Sequence, residues 1–342
     1  MTARIKVLVA VPQSTVDALF QPAVRDRLNS IADVVWSTNL DSKTPTETFA
    51  SAIKAASPDI IVSGWSAPKL TAAICRQNPQ LKYAVVLTGT VCPFIERDCI
   101  VNGLIVTNWG DVISASIAEA ALMMTLMSLR HAVEWQTIMH IERGWKLPDD
   151  RPQIQPLGLF DKTVGLYGFG QIARKFVEML DPFDVRLVTY SPYDSDAILK
   201  EYGVSRAKSL AELFERSDIV SVHAGLTDET RGSVNAAVLS KLKTGGHLIN
   251  TARGAIIDTN ALVDELKTGR INAALDVYEQ EPLPAEHPLR ELRNCLLFPH
   301  QAGPTVDYRF RCGVNAVEQI ERIAAGIAPR YVIDAASFDR MT

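Results

Sequence analysis

Short apolar runs alternate with longer amphipathic stretches at the start of the chain. Ile5–Val11, Val34–Trp36, Asp59–Ser63, Tyr83–Leu87 and Leu104–Thr107 have the composition of strands, and Ser14–Leu28 and Thr44–Ala56 between them carry the apolar spacing of helices. Alternation at this spacing predicts a parallel, doubly wound sheet. The pattern changes from Ser114 to Arg143, a single long helical stretch with small and apolar residues around most of its circumference. A helix apolar on most sides must be buried on most sides, so this one is expected between domains or against a second subunit, its methionines serving as adaptable packing.

After a polar, proline-containing connection at Leu147–Pro156 the alternation resumes. Strands are predicted around Val164–Tyr167 and at Val185–Tyr190, Ile219–His223, Gly246–Thr251, Ala273–Asp276 and Cys295–Phe298. Helices are predicted at Ile172–Leu180, Leu210–Glu215, Ala236–Leu242 and Asn260–Lys267, with a last one over Thr305–Ala325 after Gly303-Pro304. Asn235 and Thr259–Asn260 suit helix N-caps, and Gly245 and Gly269 fall where C-caps are expected.

With 342 residues, 47% of them hydrophobic, the chain can bury a large core and is expected to form two domains. A net charge of −4 without a basic run argues against a nucleic-acid or membrane partner. The N-terminal Met1–Val11 run ends in no small-residue cleavage site, and no apolar stretch reaches the length of a membrane span, so a cytoplasmic protein is expected. The five cysteines are scattered without metal spacing; they read as reduced thiols, and no metal site is expected.

The segment from Lys162 to Arg174 carries the densest chemical signal. Its apolar strand runs into Gly168-x-Gly170-x-x-Ala173 and then an amphipathic helix. Gly168 permits the tight turn, and Gly170 lets the backbone approach a pyrophosphate at the N-terminus of that helix. Tyr167, Gly168, Gly170, Gln171 and Ile172 are therefore candidate dinucleotide contacts, although a glycine-rich strand-to-helix turn without a ligand fits the same pattern.

Three polar residues follow at predicted strand ends, where open α/β sheets bind ligands: Arg253 in Asn-Thr-Ala-Arg-Gly, Glu281 in Glu-Gln-Glu-Pro, and His300 in Pro-His-Gln-Ala-Gly. An arginine followed by glycine can present its planar fork to a carboxylate. A histidine oriented and tuned by a carboxylate is the simplest apparatus for moving the proton when an alcohol is oxidised or a ketone reduced beside a nicotinamide. Taken singly, Arg253 and Glu281 also fit a surface ion pair, and His300 a satisfied core imidazole.

Together these motifs resemble the D-isomer-specific 2-hydroxyacid dehydrogenases, from Gly89 to about Gly303 and most densely in Val164–Ala173, His223–Gly232, Leu248–Asp258, Ala274–Pro282 and Pro299–Gly303. The resemblance implies an NAD-dependent oxidoreductase of a small 2-hydroxy or 2-keto acid, with NADP as the other possible cofactor. Arg253 matches the family's substrate arginine, His300 its acid/base and Glu281 the partner of that histidine. Asp276 matches a position that meets the nicotinamide carboxamide, and Ser191, His223, Thr251, Ala252 and His300 complete the expected cofactor contacts.

The family plan implies two doubly wound domains: a Rossmann cofactor domain, residues 113–304, inserted into a flavodoxin-like substrate domain of residues 1–112 and 305–342. The site would lie in a cleft with hinges near Val112 and Pro304. A homodimer is implied, with Ser114–Arg143 at its interface.

Three places depart from the family pattern. Ser191, in Tyr190-Ser-Pro-Tyr-Asp194, stands where an aspartate usually holds the adenosine ribose; NAD stays favoured because no cation follows at once, and a 2′-phosphate would need a basic residue distant in sequence, such as Arg206 or Lys208. The substrate loop reads Thr88-Gly-Thr-Val-Cys-Pro-Phe94, in which main-chain N–H groups of Thr90 and Val91 are expected to meet a carboxylate while Val91 and Phe94 add bulk to the pocket wall. Gln301 follows the histidine where an aliphatic residue is common. Two rival readings share the scaffold: a dinucleotide-sensing, corepressor-like binding protein, and a formate dehydrogenase. The intact Arg253, Glu281 and His300 set argues against the first, and the second would carry glutamine at position 281.

Overall fold

A computed structural model describes residues 4–145, 154–339 and 341. Its strands are β1 (Ile5–Val9), β2 (Ala32–Trp36), β3 (Ile60–Ser63), β4 (Tyr83–Val86), β5 (Ile105–Thr107), β6 (Thr163–Tyr167), β7 (Arg186–Tyr190), β8 (Ser205–Arg206), β9 (Ile219–Val222), β10 (His247–Asn250), β11 (Asn272–Leu275), β12 (Cys295–Leu297) and β13 (Val332–Ile333). The chain divides into two compact units, one holding the residues up to Ile113 and from Pro304, the other Ser114–Gly303.

The first unit contains a six-stranded sheet in the order β13-β5-β4-β3-β1-β2, parallel except for β13. β3 is buried along its whole length, as a central strand covered on both faces must be. The second unit contains a seven-stranded parallel sheet in the order β12-β11-β10-β9-β6-β7-β8. Its strand order reverses between β6 and β9, which places the switch point of a Rossmann sheet beside the Gly168 turn. The α/β, doubly wound expectation therefore holds for both sheets.

Several expected boundaries move for identifiable reasons. Ser14–Leu28 is two helices, Gln13–Leu19 and Pro22–Ile31, because Pro22 lacks the N–H that would continue the first and starts the second instead. Ser114–Arg143 is also two helices, Ser114–Leu129 and Ala132–His140, separated by His131 in the left-handed conformation with φ +48°.

The first of these helices buries Ala118, Ala121 and Met124 in its own unit, in one apolar cluster with Val164, Leu166 and Phe176. Much of the burial assigned to a partner is thus internal, while Met123, Val133 and Met139 remain exposed.

Asp258, rather than Thr259 or Asn260, caps the helix Thr259–Lys267 by accepting from the Ala261 N–H. Asn235 and Gly269 cap as expected, whereas Gly245 lies in the turn before β10, beyond a helix that ends at Leu239. The last long helix begins at Phe310, after turns that occupy Thr305–Arg309. The Leu147–Pro156 connection falls largely outside the described residues. Among those residues no helix is long and apolar enough to cross a membrane, and no cluster of His, Cys, Asp or Glu is built to hold a metal.

Candidate active site

The residues singled out in the second unit gather at the carboxyl ends of its strands. Gly168 leaves β6 with φ +90°, and a Cβ there would come within 2.8 Å of the Ala224 nitrogen, so no other residue fits without moving main chain. Gly170 begins the helix Gln171–Leu180 with no side-chain cap, and open space lies where its Cβ would be. Ala173 is fully buried, bringing this helix close to the sheet. An uncapped helix terminus with an unobstructed glycine before it suits an anionic pyrophosphate, so these residues fit a bound dinucleotide.

Gln171 is exposed and Ile172 half-buried in the first turn of that helix. The Tyr167 side chain is turned into the core, where its hydroxyl pairs with Ser233 at 3.0 Å, so the turn has only its main chain. His223 leaves β9 with Nε2 2.9 Å from Ser221 Oγ and its ring against Phe176. Burial pushes its pKa down to about 4, making it a neutral group at ordinary pH.

The β10 exit is shaped by Asn250, which the sequence reading did not single out. Its fully buried amide accepts from the Ala252 N–H at 3.0 Å and donates to the Arg253 carbonyl at 3.0 Å, folding the turn that carries the arginine. An asparagine directly after an apolar strand run was the available signal. Thr251 is buried and Ala252 partly so. Gly254 lies so close to Tyr278 that any side chain would enter that residue's main chain; the glycine lets the Arg253 turn approach the loop after β11. Burial lowers the Arg253 pKa and nearby Glu281 opposes the shift, leaving a charged, largely desolvated guanidinium.

Glu281 and His300 meet directly. Glu281 Oε1 accepts from the Tyr278 N–H at 2.9 Å, and Oε2 lies 2.6 Å from His300 Nδ1. With Nδ1 donating to the carboxylate, Nε2 is the nitrogen left to exchange a proton. His300 stands in the left-handed region, φ +55°, with its N–H bonded to the Asp276 carbonyl at 2.8 Å. The Asp276 carboxylate, almost wholly buried, accepts from the Gln301 N–H at 2.7 Å and the Ala302 N–H at 2.8 Å. Both oxygens thus brace the loop of the histidine. Gln301 takes part through its main chain, and its side chain is exposed.

At the β7 exit, Ser191 Oγ donates to Asp194 Oδ2 at 2.5 Å. Arg174, from the fingerprint helix, bonds the other carboxylate oxygen at 2.9 Å. Arg206, carried by β8, donates to the carbonyls of Ser191 and Asp194, both at 2.6 Å. Cations distant in sequence therefore do reach this strand end.

The structure does not place Thr90 and Val91 in this unit. They lie in the first, where Thr90 O accepts from Thr88 Oγ1 at 2.5 Å. Val91 is fully buried in that unit's core beside Phe49 and Ile95, so its side chain fills the core rather than a pocket wall; Phe94 packs partly against the same cluster.

Comparison with known proteins agrees with this geometry. Residues 122–302 match the model of the D-isomer specific 2-hydroxyacid dehydrogenase, NAD binding domain. A glyoxylate reductase of Aeropyrum pernix is 36% identical over 244 residues, covering 70% of this chain and 72% of that protein. The NADPH-dependent glyoxylate/hydroxypyruvate reductase of Sinorhizobium meliloti, solved with citrate, superposes with a TM-score of 0.75 at 25% identity over 99% of this chain and 100% of that one. D-mandelate dehydrogenase of Rhodotorula graminis shares the fold, with a TM-score of 0.83 at 22% identity over 97% and 98%. By the family match and the Aeropyrum relative, the chain belongs to the D-isomer specific 2-hydroxyacid dehydrogenase family, NAD(P)-dependent oxidoreductases that interconvert hydroxy and keto acids.

Proposed function

We propose that Arg253, Glu281 and His300 carry the reduction of a small 2-keto acid to its D-2-hydroxy acid, and the reverse oxidation. The observation that carries this reading is the 2.6 Å contact between His300 Nδ1 and Glu281 Oε2, which leaves Nε2 directed away from the carboxylate. The bound nicotinamide supplies or accepts the hydride. Arg253, desolvated and charged, pairs with the substrate carboxylate and polarises the neighbouring oxygen. His300 gives a proton from Nε2 to that oxygen during reduction and takes it back during oxidation, while Glu281 holds the tautomer and balances the imidazolium. Asp276 keeps the histidine loop in register through its two main-chain bonds.

Small 2-keto acids such as glyoxylate and hydroxypyruvate, the substrates named for the relatives, are the first to try. The carboxylate at position 281 serves a reaction that moves a hydroxyl proton, which formate oxidation does not. Main-chain N–H groups near Thr90 and Val91 also meet the substrate carboxylate, and the substrate domain spans residues 1–112 and 305–342. The chain works as a cytoplasmic homodimer that covers the exposed Met123, Val133 and Met139. The test is oxidation of NADH and NADPH by the purified chain with glyoxylate, hydroxypyruvate and bulkier 2-keto acids, and reduction of NAD with formate. Turnover of formate alone, or cofactor binding without any turnover, would sink the proposal.

A further inference from the structure

The exit of β7 carries a charge cluster that family membership leaves unassigned. β7 runs beside β6 with Tyr190 paired to Tyr167, and the Gly168 N–H bonds the Tyr190 carbonyl at 3.0 Å. Ser191 therefore sits next to the glycine turn, where the ribose of a bound adenosine meets the end of the second strand in a Rossmann sheet. The side chain at this point is neutral, yet a carboxylate arrives from three residues on. Asp194 holds Ser191 Oγ with one oxygen and the Arg174 guanidinium with the other.

The two arginines that could attract a phosphate are already committed. Arg174 also donates from Nε to the Phe169 carbonyl at 3.2 Å, within the glycine turn. Arg206 is placed by the pairing of β8 with β7 and bonds two loop carbonyls together with the Asp196 carboxylate at 2.8 Å. On the same loop, Tyr193 donates to Glu229 at 3.1 Å. The bonded cluster thus sets three carboxylates (Asp194, Asp196, Glu229) against two guanidiniums (Arg174, Arg206).

We infer that Asp194 decides the choice of dinucleotide: by engaging the Ser191 hydroxyl proton it leaves Ser191 Oγ to accept from the adenosine ribose hydroxyls of NAD(H), and its charge, which also pins Arg174, rejects the 2′-phosphate of NADP(H). The inference rests on the reading of this unit as a dinucleotide site. Removing that one charge leaves Arg174 without its carboxylate and changes the balance to two carboxylates against two guanidiniums, so Asp194→Asn is a single substitution that turns a repelling strand end into one able to hold a phosphate.

Binding rather than turnover is the readout. Calorimetric titration of NADH and NADPH into the full chain should give tighter binding of NADH to the wild type. Asp194→Asn should weaken NADH binding and move the ratio of dissociation constants toward NADPH by at least about tenfold, and adding Arg174→Gln should undo most of that gain. An unchanged ratio in Asp194→Asn overturns the inference, as does a wild type that binds NADPH more tightly.

Adenosine 2′,5′-bisphosphate and adenosine 5′-monophosphate provide a second measurement on the wild type, should the variant fail to fold. Tighter binding of the monophosphate is expected, and preference for the bisphosphate overturns the inference. Failure to bind any dinucleotide overturns the cofactor reading itself, whereas binding of both with an insensitive ratio overturns only the role of Asp194.

Discussion

Two histidines of the second sheet, His300 beyond the carboxyl end of β12 and His247 at the amino end of β10, meet opposite surroundings. His300 is half exposed, with Nδ1 on a carboxylate. His247 is almost completely buried, with Nδ1 2.7 Å from Ser128 Oγ and a buried Nε2 that has no hydrogen-bond partner among the described residues. The His131 ring stands 6.3 Å from it, and burial, reinforced by His131 and Lys162, pushes its pKa down to about 4. Only the first can serve a reaction, because a proton carrier needs both a group that stabilises its charged form and a route to the substrate. Loops collect such groups at the carboxyl ends of parallel strands, while the amino ends are closed by packing.

The comparison breaks most sharply at His300. His300→Ala should lower turnover of keto-acid reduction by at least about a hundredfold with dinucleotide binding little changed, since that is what general acid–base catalysis contributes. Steady-state kinetics beside a binding titration checks this, and near-normal turnover would remove His300 from the mechanism. Arg253→Ala should act next, raising KM as well as lowering turnover, by about tenfold or more in KM, because charge-assisted contacts to the substrate carboxylate are lost. A KM that does not move would mean that another group holds the carboxylate.

Asp276→Asn is expected to be milder and to separate positioning from chemistry. An amide offers one acceptor where two N–H groups, of Gln301 and Ala302, now each find an oxygen. Its NH2 group would face one of them, at a cost of about 1–3 kcal/mol in stability for an unsatisfied buried group. The signature of a positioning role is a fall in turnover with a bell-shaped pH profile that keeps its shape, measured together with the unfolding temperature. A turnover unchanged despite lower stability would confine Asp276 to the fold.

Much of this was legible in the sequence because the signals are local. Alternating periods named the strands, and the glycine fingerprint and the Arg253, Glu281 and His300 motifs each sit within a few residues of a strand end. What escaped depends on distant partners. Nothing near Ser191 announces that Arg206 will come alongside from a two-residue strand, since β8 is defined only by its pairing with β7. The break at His131 needs a left-handed residue that is not glycine, which local propensity does not anticipate. Val91 reads as pocket bulk until the core of the first unit claims it. The bracing role of Asp276 is likewise invisible, because its partners lie more than twenty residues on.

The smallest effect expected concerns the buried histidine. His247 and His223 are both held near 4 in the folded chain, against an ordinary 6.5. Between those values the unfolded chain binds protons that the folded chain refuses, so stability is fully present above about 6.5 and falls as the pH is lowered toward 4. Each histidine contributes at most about 1.4 kcal/mol per pH unit in that window. Asp218, whose pKa is lowered chiefly by its bonds to Lys243 and the Thr163 N–H against an opposing burial penalty, loses stability in the same direction but at the acidic end, below the ordinary 3.8. His247→Gln removes one titrating group far from the reacting atoms while leaving an amide for Ser128. Its unfolding free energy, followed by denaturant titration across the window, should therefore depend less steeply on pH than that of the wild type, whatever its absolute value. Identical slopes for the two proteins would show that the buried imidazole does not control acid sensitivity, and the contrast with His300 would then rest on geometry alone.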